Sequence, residues 1–289
     1  MQFLYREPLI LDEITRAALP GTFVRLSGGV THYQLAGPED GQPVILIHGF
    51  STPLYIWDRN FDALAEAGFR VVRYDLLGRV YSDRPPVEYD PDLFDRQLLD
   101  LIDALGFEAP DLVGLSMGGA IAVTFADRHP DRLRRLVLID PAGFPLKVTL
   151  AALLLFLPAV GELVMALAGN RVLLAGLPRD FYRPEQFPEY VEQYQAQLPY
   201  RGFKRALLST MRHMPLMNMA DTYARVGRQE REVLLLWGEE DATIPLSTSE
   251  KVRAAIPRLE FHAIPQAGHV CQYERPDLVN PILSAFLSR

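Results

Sequence analysis

A series of short runs of branched apolar residues, separated by helix-like segments, most constrains how this chain can fold. The runs lie at 43–47, 69–74, 111–115, 133–139, 233–237 and 259–264, with helical patterns at 58–67, 91–105 and 248–255. Continuous apolar strands that alternate with amphipathic helices are typical of a mostly parallel central sheet with helices on both faces. The pattern therefore predicts an α/β fold, preceded by an antiparallel hairpin at 22–26 and 30–35.

The alternation stops between Ile139 and Val233, where helix-like apolar stretches broken by proline replace it. We interpret 144–227 as an inserted helical cap, and 1–143 together with 228–289 as the core domain. The stretch that begins at Val148 is unusually apolar and approaches the length of about twenty residues that a membrane span requires. Because a spanning helix would separate the two parts of the core, this stretch predicts a buried pair of cap helices, with peripheral lipid contact through the cap as the alternative.

Ser116 lies at the apex of a predicted strand, turn and helix. The sequence Gly-Leu-Ser-Met-Gly-Gly at 114–119 follows an apolar run and precedes a helix-like segment. Gly114 and Gly118 flank the serine at the spacing of a nucleophile elbow, in which a strained turn needs neighbours that lack side chains. This geometry projects the serine hydroxyl from the edge of the sheet, where it can attack a substrate.

A serine hydroxyl needs a histidine base, and the histidine needs an acid that fixes its tautomer. Among the six histidines, only His269 lies in a glycine turn directly after a strand-like segment and far downstream of Ser116. Between them, the apolar run 233–237 ends in a loop that contains Asp241. The predicted catalytic triad is therefore Ser116, Asp241 and His269, with Asp140 at the end of another strand as the rival acid.

Two backbone N–H groups are predicted to bind the oxyanion that forms when the serine attacks. The run 43–47 breaks into His48-Gly49-Phe50, so that a buried strand ends in a glycine turn where N–H groups can converge. Met117 follows the nucleophile and opens a helix whose positive end favours negative charge. The predicted donors are the N–H groups of Phe50 and Met117, and His48 is interpreted as structural.

These motifs, taken in this order, resemble the α/β-hydrolase superfamily, and the resemblance covers most of the chain. The segment from Asp75 to Ser82 is similar to the family's Asp-x-x-Gly-x-Gly-x-Ser pattern, with Val80 in place of the second glycine. A β-branched residue is poorly suited to positive φ, so this departure concerns the shape of the loop rather than the chemistry. The resemblance implies the α/β-hydrolase fold and a serine hydrolase of esterase or lipase type, with no metal and no organic cofactor.

Composition limits the kinds of binding partner and the cellular compartment that the sequence indicates. The formal net charge of −7 argues against nucleic acid as a partner. The single cysteine, Cys271, excludes an intrachain disulfide and a cysteine zinc cluster, and we interpret it as a small apolar filler. The first 25 residues carry several charges and lack a secretory apolar core, which favours a cytoplasmic enzyme. The substrate-binding residues and the oligomeric state stay open.

The sequence favours a carboxylic ester hydrolase that acts through a serine acyl-enzyme on small-molecule esters with an apolar moiety. Two alternatives use the same machinery: hydrolysis of a carbon–carbon bond in a dienoate ring-cleavage product, and cofactor-free perhydrolysis or haloperoxidation. A dienoate carboxylate would require basic cap residues, for which Arg183 and Arg212 are candidates. An alternative from another functional class is a ligand-binding receptor that keeps the triad residues but does not turn over a substrate.

Overall fold

The computed structural model describes residues 5–146 and 153–289, and an eight-stranded sheet forms its centre. The strands are β1 (Thr22–Leu26), β2 (Gly29–Ala36), β3 (Pro43–Ile47), β4 (Arg70–Tyr74), β5 (Asp111–Leu115), β6 (Leu136–Ile139), β7 (Val233–Gly238) and β8 (Glu260–Ile264). Their order across the sheet is β1-β2-β4-β3-β5-β6-β7-β8. The β1–β2 and β2–β4 pairs are antiparallel and all the other pairs are parallel. The predicted hairpin and mostly parallel sheet are thus confirmed.

Helices cover both faces of this sheet. Those of the core are α1 (Glu13–Ala17), α2 (Phe61–Glu66), α3 (Pro91–Ala104) and α4 (Met117–Arg128), followed after the insertion by α9 (Ser249–Ala255), α10 (Cys271–Glu274) and α11 (Pro276–Leu287). Alternate residues of β3 enter different hydrophobic clusters: Val44 packs on one face and Ile45 on the other. Both side chains are fully buried. Burial on both faces explains why β3 is a continuous apolar run rather than an alternating one.

Strand β6 begins later than the sequence pattern predicts. The apolar run starts at Leu133, but the first ladder residue is Leu136. The two intervening arginines are held by Asp111 at the start of β5: its carboxylate accepts from Arg134 Nε at 3.0 Å and from the Arg135 N–H at 2.9 Å. The second bond takes up the Arg135 N–H, which would otherwise extend the ladder, and the first holds the Arg134 side chain.

The helix predicted at 58–67 is also shorter in the structure. A 3₁₀ turn (Leu54–Trp57) precedes α2, which begins only at Phe61. Asn60 separates the 3₁₀ turn from α2. Its side-chain amide donates to the Gln272 carbonyl at 3.0 Å and so ties the start of α2 to α10. Long-range hydrogen bonding therefore decides the boundary that local periodicity placed earlier.

The described part of the segment between β6 and β7 is helical. It contains α5 (Val160–Gly176), α6 (Pro188–Gln195), α7 (Phe203–His213) and α8 (Ala220–Val226). Two of its side chains reach the core loop that follows β3: Tyr190 donates to Thr52 Oγ1 at 3.0 Å, and Gln197 donates to the Ser51 carbonyl at 3.0 Å. The predicted cap at 144–227 corresponds to this helical region. That the region forms a separate domain stays a prediction.

Helix α5 is less buried than the sequence pattern predicts. The helical stretch Val160–Asp180 is long and apolar enough to cross a membrane by length and composition, and 28% of its most apolar window is buried. Leu163 and Leu167 are 54% and 75% exposed. The expectation of a fully buried pair of cap helices is therefore wrong for this face of α5, and the earlier part of the apolar stretch, up to residue 152, lies outside the described residues. Peripheral lipid contact stays a prediction.

Val80 lies in the positive-φ region that favours glycine. Its φ is +30°, and Gly78 two residues earlier has φ +87°. The loop around it is held by Asp75, whose carboxylate accepts from the Leu54 N–H at 3.1 Å and contacts His32 Nδ1 at 2.7 Å. These bonds maintain the loop although a β-branched residue occupies a strained position.

Candidate active site

The turn between β5 and α4 holds Ser116 in a strained conformation. The residue has φ +54° and ψ −117°, a combination that residues with a side chain rarely adopt. Its N–H donates to the Ile139 carbonyl at 2.9 Å, and its own carbonyl accepts from the N–H groups of Gly119 and Ala142, both at 3.0 Å. The turn is thus anchored to β6 and to the segment that follows it, while the serine side chain stays partly exposed. This is the geometry that the sequence pattern predicts.

The glycines around the serine permit backbone segments to approach closely. A Cβ at Gly114 would lie 2.4 Å from the Gly118 carbonyl oxygen, and a Cβ at Gly118 would lie 2.2 Å from the Ile47 carbonyl oxygen. Neither position can hold a side chain without displacing backbone. The glycines therefore bring the start of α4 against the end of β3, and so against the loop that contains the predicted oxyanion donors.

Asp241 and His269 meet as predicted. Asp241 follows β7, His269 follows β8, and these strands are neighbours in the sheet. His269 Nδ1 and Asp241 Oδ2 are 2.7 Å apart, and both side chains are buried. The other carboxylate oxygen, Oδ1, accepts from the backbone N–H groups of Thr243 at 2.7 Å and Ile244 at 2.8 Å. This arrangement orients the ring and leaves Nε2 free of the acid, as a general base requires.

Asp140, the rival acid, lies in the same cluster. One oxygen of Asp140, one of Asp241 and one ring nitrogen of His269 all lie within 4.8 Å of one another. Asp140 Oδ1 accepts from the Gly238 N–H at 2.8 Å, whereas Oδ2 is buried without a hydrogen-bond partner among the described residues. Burial, followed by the neighbouring Asp241 charge, raises the pKa of Asp140 well above its ordinary value. We infer that Asp140 is the neutral acid of the pair.

The surrounding acids favour the charged form of the His269 ring. Burial by itself would lower its pKa, but the charge and hydrogen bond of Asp241 outweigh this, with a smaller contribution from the Asp180 charge, and raise the pKa of His269 to about 9. Asp180 belongs to the helical insertion and accepts from Thr243 Oγ1 at 2.7 Å, next to Asp241. Sequence reasoning missed this residue, because no motif links a cap aspartate to the loop after β7.

Cys271 is not an alternative nucleophile. The thiol is fully buried at the start of α10. Burial and the neighbouring Asp140 raise the pKa of Cys271 well above its ordinary value. A thiol is nucleophilic as the thiolate, so a group held neutral in this way is inert. Its interpretation as an apolar filler agrees with this environment.

The loop after β3 lies against Ser116. A Cβ at Gly49 would lie 3.4 Å from the serine Cβ and 3.9 Å from its Oγ. Phe50 follows, and its carbonyl accepts from Arg79 Nε at 2.9 Å. Met117 is the first residue of α4, so its N–H is among those that have no acceptor within the helix. Met117 thus directly follows the nucleophile, and Phe50 directly follows the glycine that lies against it.

Arg79 is a fully buried guanidinium that carries no carboxylate partner among the described residues. Besides the Phe50 carbonyl, it donates to the Leu77 carbonyl at 3.1 Å and to Thr210 Oγ1 on α7 at 3.0 Å. Burial lowers the pKa of Arg79 to about 10, which still leaves it charged at neutral pH. Its three bonds connect the Phe50 loop directly to a cap helix, a connection that sequence patterns do not indicate.

The two cap arginines considered for a substrate carboxylate differ in their surroundings. Arg212 forms a two-pronged ion pair with Glu162, at 2.6 and 3.1 Å, and also donates to the Leu155 and Leu157 carbonyls. Arg183 is exposed and lies over the Tyr182 ring at 5.3 Å. A charge that is already paired offers little to an incoming anion, which argues against Arg212 as the carboxylate-binding residue. For Arg183 the role stays a prediction.

Comparisons with known proteins agree with this geometry. A family model described as the alpha/beta hydrolase fold matches residues 42–276. A 2-hydroxymuconate semialdehyde hydrolase of Pseudomonas sp. (strain CF600) is 32% identical and covers 86% of this chain and 87% of that protein. A solved meta-cleavage product hydrolase from Pseudomonas fluorescens IP01 is 26% identical with a TM-score of 0.76, covering 93% and 97%. A carboxylesterase of Bacillus subtilis (strain 168) is 27% identical and covers 92% and 86%.

Proposed function

Because the chain belongs to the α/β-hydrolase family, we propose that it is a serine hydrolase that cleaves the carbon–carbon bond of a dienoate ring-cleavage product. The observation that carries the chemistry is the buried Asp241–His269 pair, joined at 2.7 Å at the same sheet edge as the strained Ser116. Similarity to ring-cleavage hydrolases in both sequence and structure supports the substrate class. This places the ester hydrolase favoured by the sequence second.

In the proposed reaction, His269 Nε2 removes the Ser116 proton as Oγ attacks the ketone carbon of the substrate. The Phe50 and Met117 N–H groups stabilise the oxyanion, because preformed donors need no reorientation as charge develops. Before the attack, the dienol substrate passes to its keto form, in which the enol proton has moved to the carbon that will leave. When the carbon–carbon bond breaks, its electron pair is delocalised through the remaining double bond onto the second carbonyl oxygen as a dienolate, which then gains a proton. Water hydrolyses the acyl-enzyme, so the products are a carboxylic acid and a protonated dienoate fragment. Asp241 keeps the ring of His269 oriented throughout.

The direct test follows a yellow 2-hydroxy-6-oxo-dienoate with a phenyl or an alkyl substituent at its ketone. We expect the wild-type chain to remove the visible absorbance and to release the corresponding carboxylic acid, identified by mass spectrometry. Ser116→Ala should lower kcat by about 10³-fold or more, because the nucleophile is lost. Ser284→Ala, a serine substitution on α11, is the matched control and should leave kcat unchanged. Equal turnover by Ser116→Ala and wild type would overturn the proposal.

The second candidate is hydrolysis of esters with an apolar moiety. The similarity to a carboxylesterase supports it, and so does the pairing of Arg212 with Glu162, since a neutral ester needs no free cation. A panel of p-nitrophenyl esters of increasing acyl length, measured beside the dienoates, separates the two. A kcat/KM for any ester that exceeds every dienoate value would favour this second function. Saturable binding without turnover of either substrate class would instead favour a receptor.

A further inference from the structure

His48 follows β3 and is fully buried, and both of its ring nitrogens make hydrogen bonds to backbone groups. Nε2 lies 2.9 Å from the Leu76 N–H, and Nδ1 lies 2.8 Å from the Gly49 carbonyl oxygen. A backbone N–H can only donate, so Nε2 must be the unprotonated acceptor. A carbonyl can only accept, so Nδ1 must carry the proton. The two neighbours therefore fix His48 as one tautomer.

The environment also keeps this ring neutral. Burial lowers the pKa of His48 to about 4, with Asp75 acting in the opposite direction and Arg79 in the same direction as burial. A charged ring would lose its bond with the Leu76 N–H, because both nitrogens would then be donors. The ring thus stays a single neutral species, donating at Nδ1, over the range in which a serine hydrolase works.

The carbonyl that His48 holds belongs to the same peptide unit as the Phe50 N–H. The Gly49 C=O and the Phe50 N–H are the two ends of one planar group, so fixing the oxygen fixes the direction of the N–H. Acceptance of a hydrogen bond by the carbonyl also polarises the unit and strengthens the N–H as a donor. Gly49 itself lies against Ser116, so this peptide unit is next to the reacting centre.

We propose that His48 is a positioning residue that aims the Phe50 N–H at the oxyanion and makes it a stronger donor. The inference rests on the proposed function, because it assigns a role within the same site. His48 does not contact the reacting atoms; it acts through the Gly49–Phe50 peptide. The Arg79 bond to the Phe50 carbonyl holds the following peptide unit, so this short loop is fixed at both of its carbonyls.

Two substitutions test the two hydrogen bonds of the His48 ring one at a time. In His48→Asn the side-chain amide can place its N–H near the position of Nδ1 and keep the bond to Gly49, while the Leu76 bond is lost. In His48→Gln the longer side chain can place its oxygen near the position of Nε2 and keep the Leu76 bond, while the donor to Gly49 is lost. Each variant loses one buried hydrogen bond, so similar losses of thermal stability are expected, and their melting temperatures provide the check.

The reactivity readout is the second-order rate of Ser116 labelling by a fluorophosphonate, measured by intact mass. In this reaction the serine displaces fluoride from phosphorus, the phosphoryl oxygen takes the place of the oxyanion at the same N–H donors, and no known substrate is needed. We expect His48→Gln to react about 10- to 100-fold more slowly than wild type, a smaller loss than the removal of a whole donor. His48→Asn should stay within about threefold, because the orienting bond survives. On any substrate that wild type hydrolyses, His48→Gln should lower kcat and leave KM nearly unchanged.

The outcomes distinguish this inference from the proposed function. A wild-type chain that the fluorophosphonate does not label would overturn the proposed function and the role of His48 with it. Labelling of wild type and His48→Gln at equal rates, or equal losses in the Gln and Asn variants, would overturn the His48 inference alone. A ¹⁵N NMR spectrum of the selectively labelled ring gives an independent result: protonation at Nδ1 supports the inference, and protonation at Nε2 contradicts it.

Discussion

One oxygen of Asp140 lies within 4.8 Å of both an oxygen of Asp241 and a ring nitrogen of His269. The two acids are buried beside the same imidazole, but their hydrogen bonds differ. Asp241 accepts from the ring and from two backbone N–H groups. Asp140 accepts from the Gly238 N–H, and its other oxygen has no partner among the described residues. Two carboxylates this close rarely both ionise, so the one with more hydrogen-bond donors, Asp241, holds the negative charge.

The first prediction separates the roles of these acids. Asp241→Asn should lower kcat on the order of 10³- to 10⁴-fold, because the amide stabilises the wrong tautomer of His269 and cannot balance its charge. Asp140→Asn should stay within about threefold, since an amide resembles a neutral acid and its oxygen can still accept from Gly238. Steady-state kinetics at a fixed pH check both. A large loss in the Asp140 variant with little loss in the Asp241 variant would show that the acid of the triad is Asp140, which follows β6, rather than Asp241.

The second prediction concerns pH. His269 must be neutral to accept the serine proton, and its acid neighbours raise its pKa to about 9. Activity should therefore be low at low pH, where the His269 ring is protonated, and should rise as the ring loses its proton. The midpoint of this rise should lie above about 6.5, the ordinary pKa of histidine. Asp241→Asn removes a negative charge and should move the midpoint to lower pH. The pH dependence of kcat/KM measures this, and a midpoint at or below 6 in the wild-type chain would contradict the electrostatics.

The third prediction concerns Val80, which has φ +30°. Val80→Gly removes the strain of a β-branched residue at positive φ but increases the entropy of the unfolded chain, so these two contributions oppose each other. We expect the free energy of unfolding to change by less than about 1 kcal/mol. The control, Val72→Gly in the buried strand β4, should cost about 3 kcal/mol or more. Urea unfolding of both variants is the measurement, and equal losses would mean that Val80 is not strained.

The fourth prediction concerns the exposed apolar side chains of α5. Leu163 and Leu167 lie one turn apart on the same face, and their exposure resembles that of lipid-binding surfaces. We expect part of the protein to sediment with phosphatidylcholine vesicles, which are neutral and do not repel a chain of net charge −7. The double variant Leu163→Gln/Leu167→Gln should lose most of this binding, whereas Ile14→Gln, at a residue of α1 that is 84% exposed, should keep it. No sedimentation of wild type would remove the lipid hypothesis.

Local patterns predicted much of this molecule. Apolar runs located the strands, because a strand buried on both faces must be apolar throughout, and the glycines around Ser116 located the elbow, because only glycine permits the observed backbone approach. Asp241 and His269 could be chosen because each follows a strand that delivers its loop to the same edge of a parallel sheet. Their 2.7 Å contact confirms that inference about position.

The sequence by itself determined the sheet, the order of its parts and the residue types at its active edge, because these depend on periodicity and on short-range steric rules. Only the tertiary structure decided that Asp140 lies within reach of His269, that Glu162 neutralises Arg212, and that His48 orients the peptide ahead of Phe50. Each of these relationships joins residues through side-chain geometry or through distant segments. Hydrogen bonds and buried charges act over a few ångströms in space, and separation along the chain does not reveal that distance.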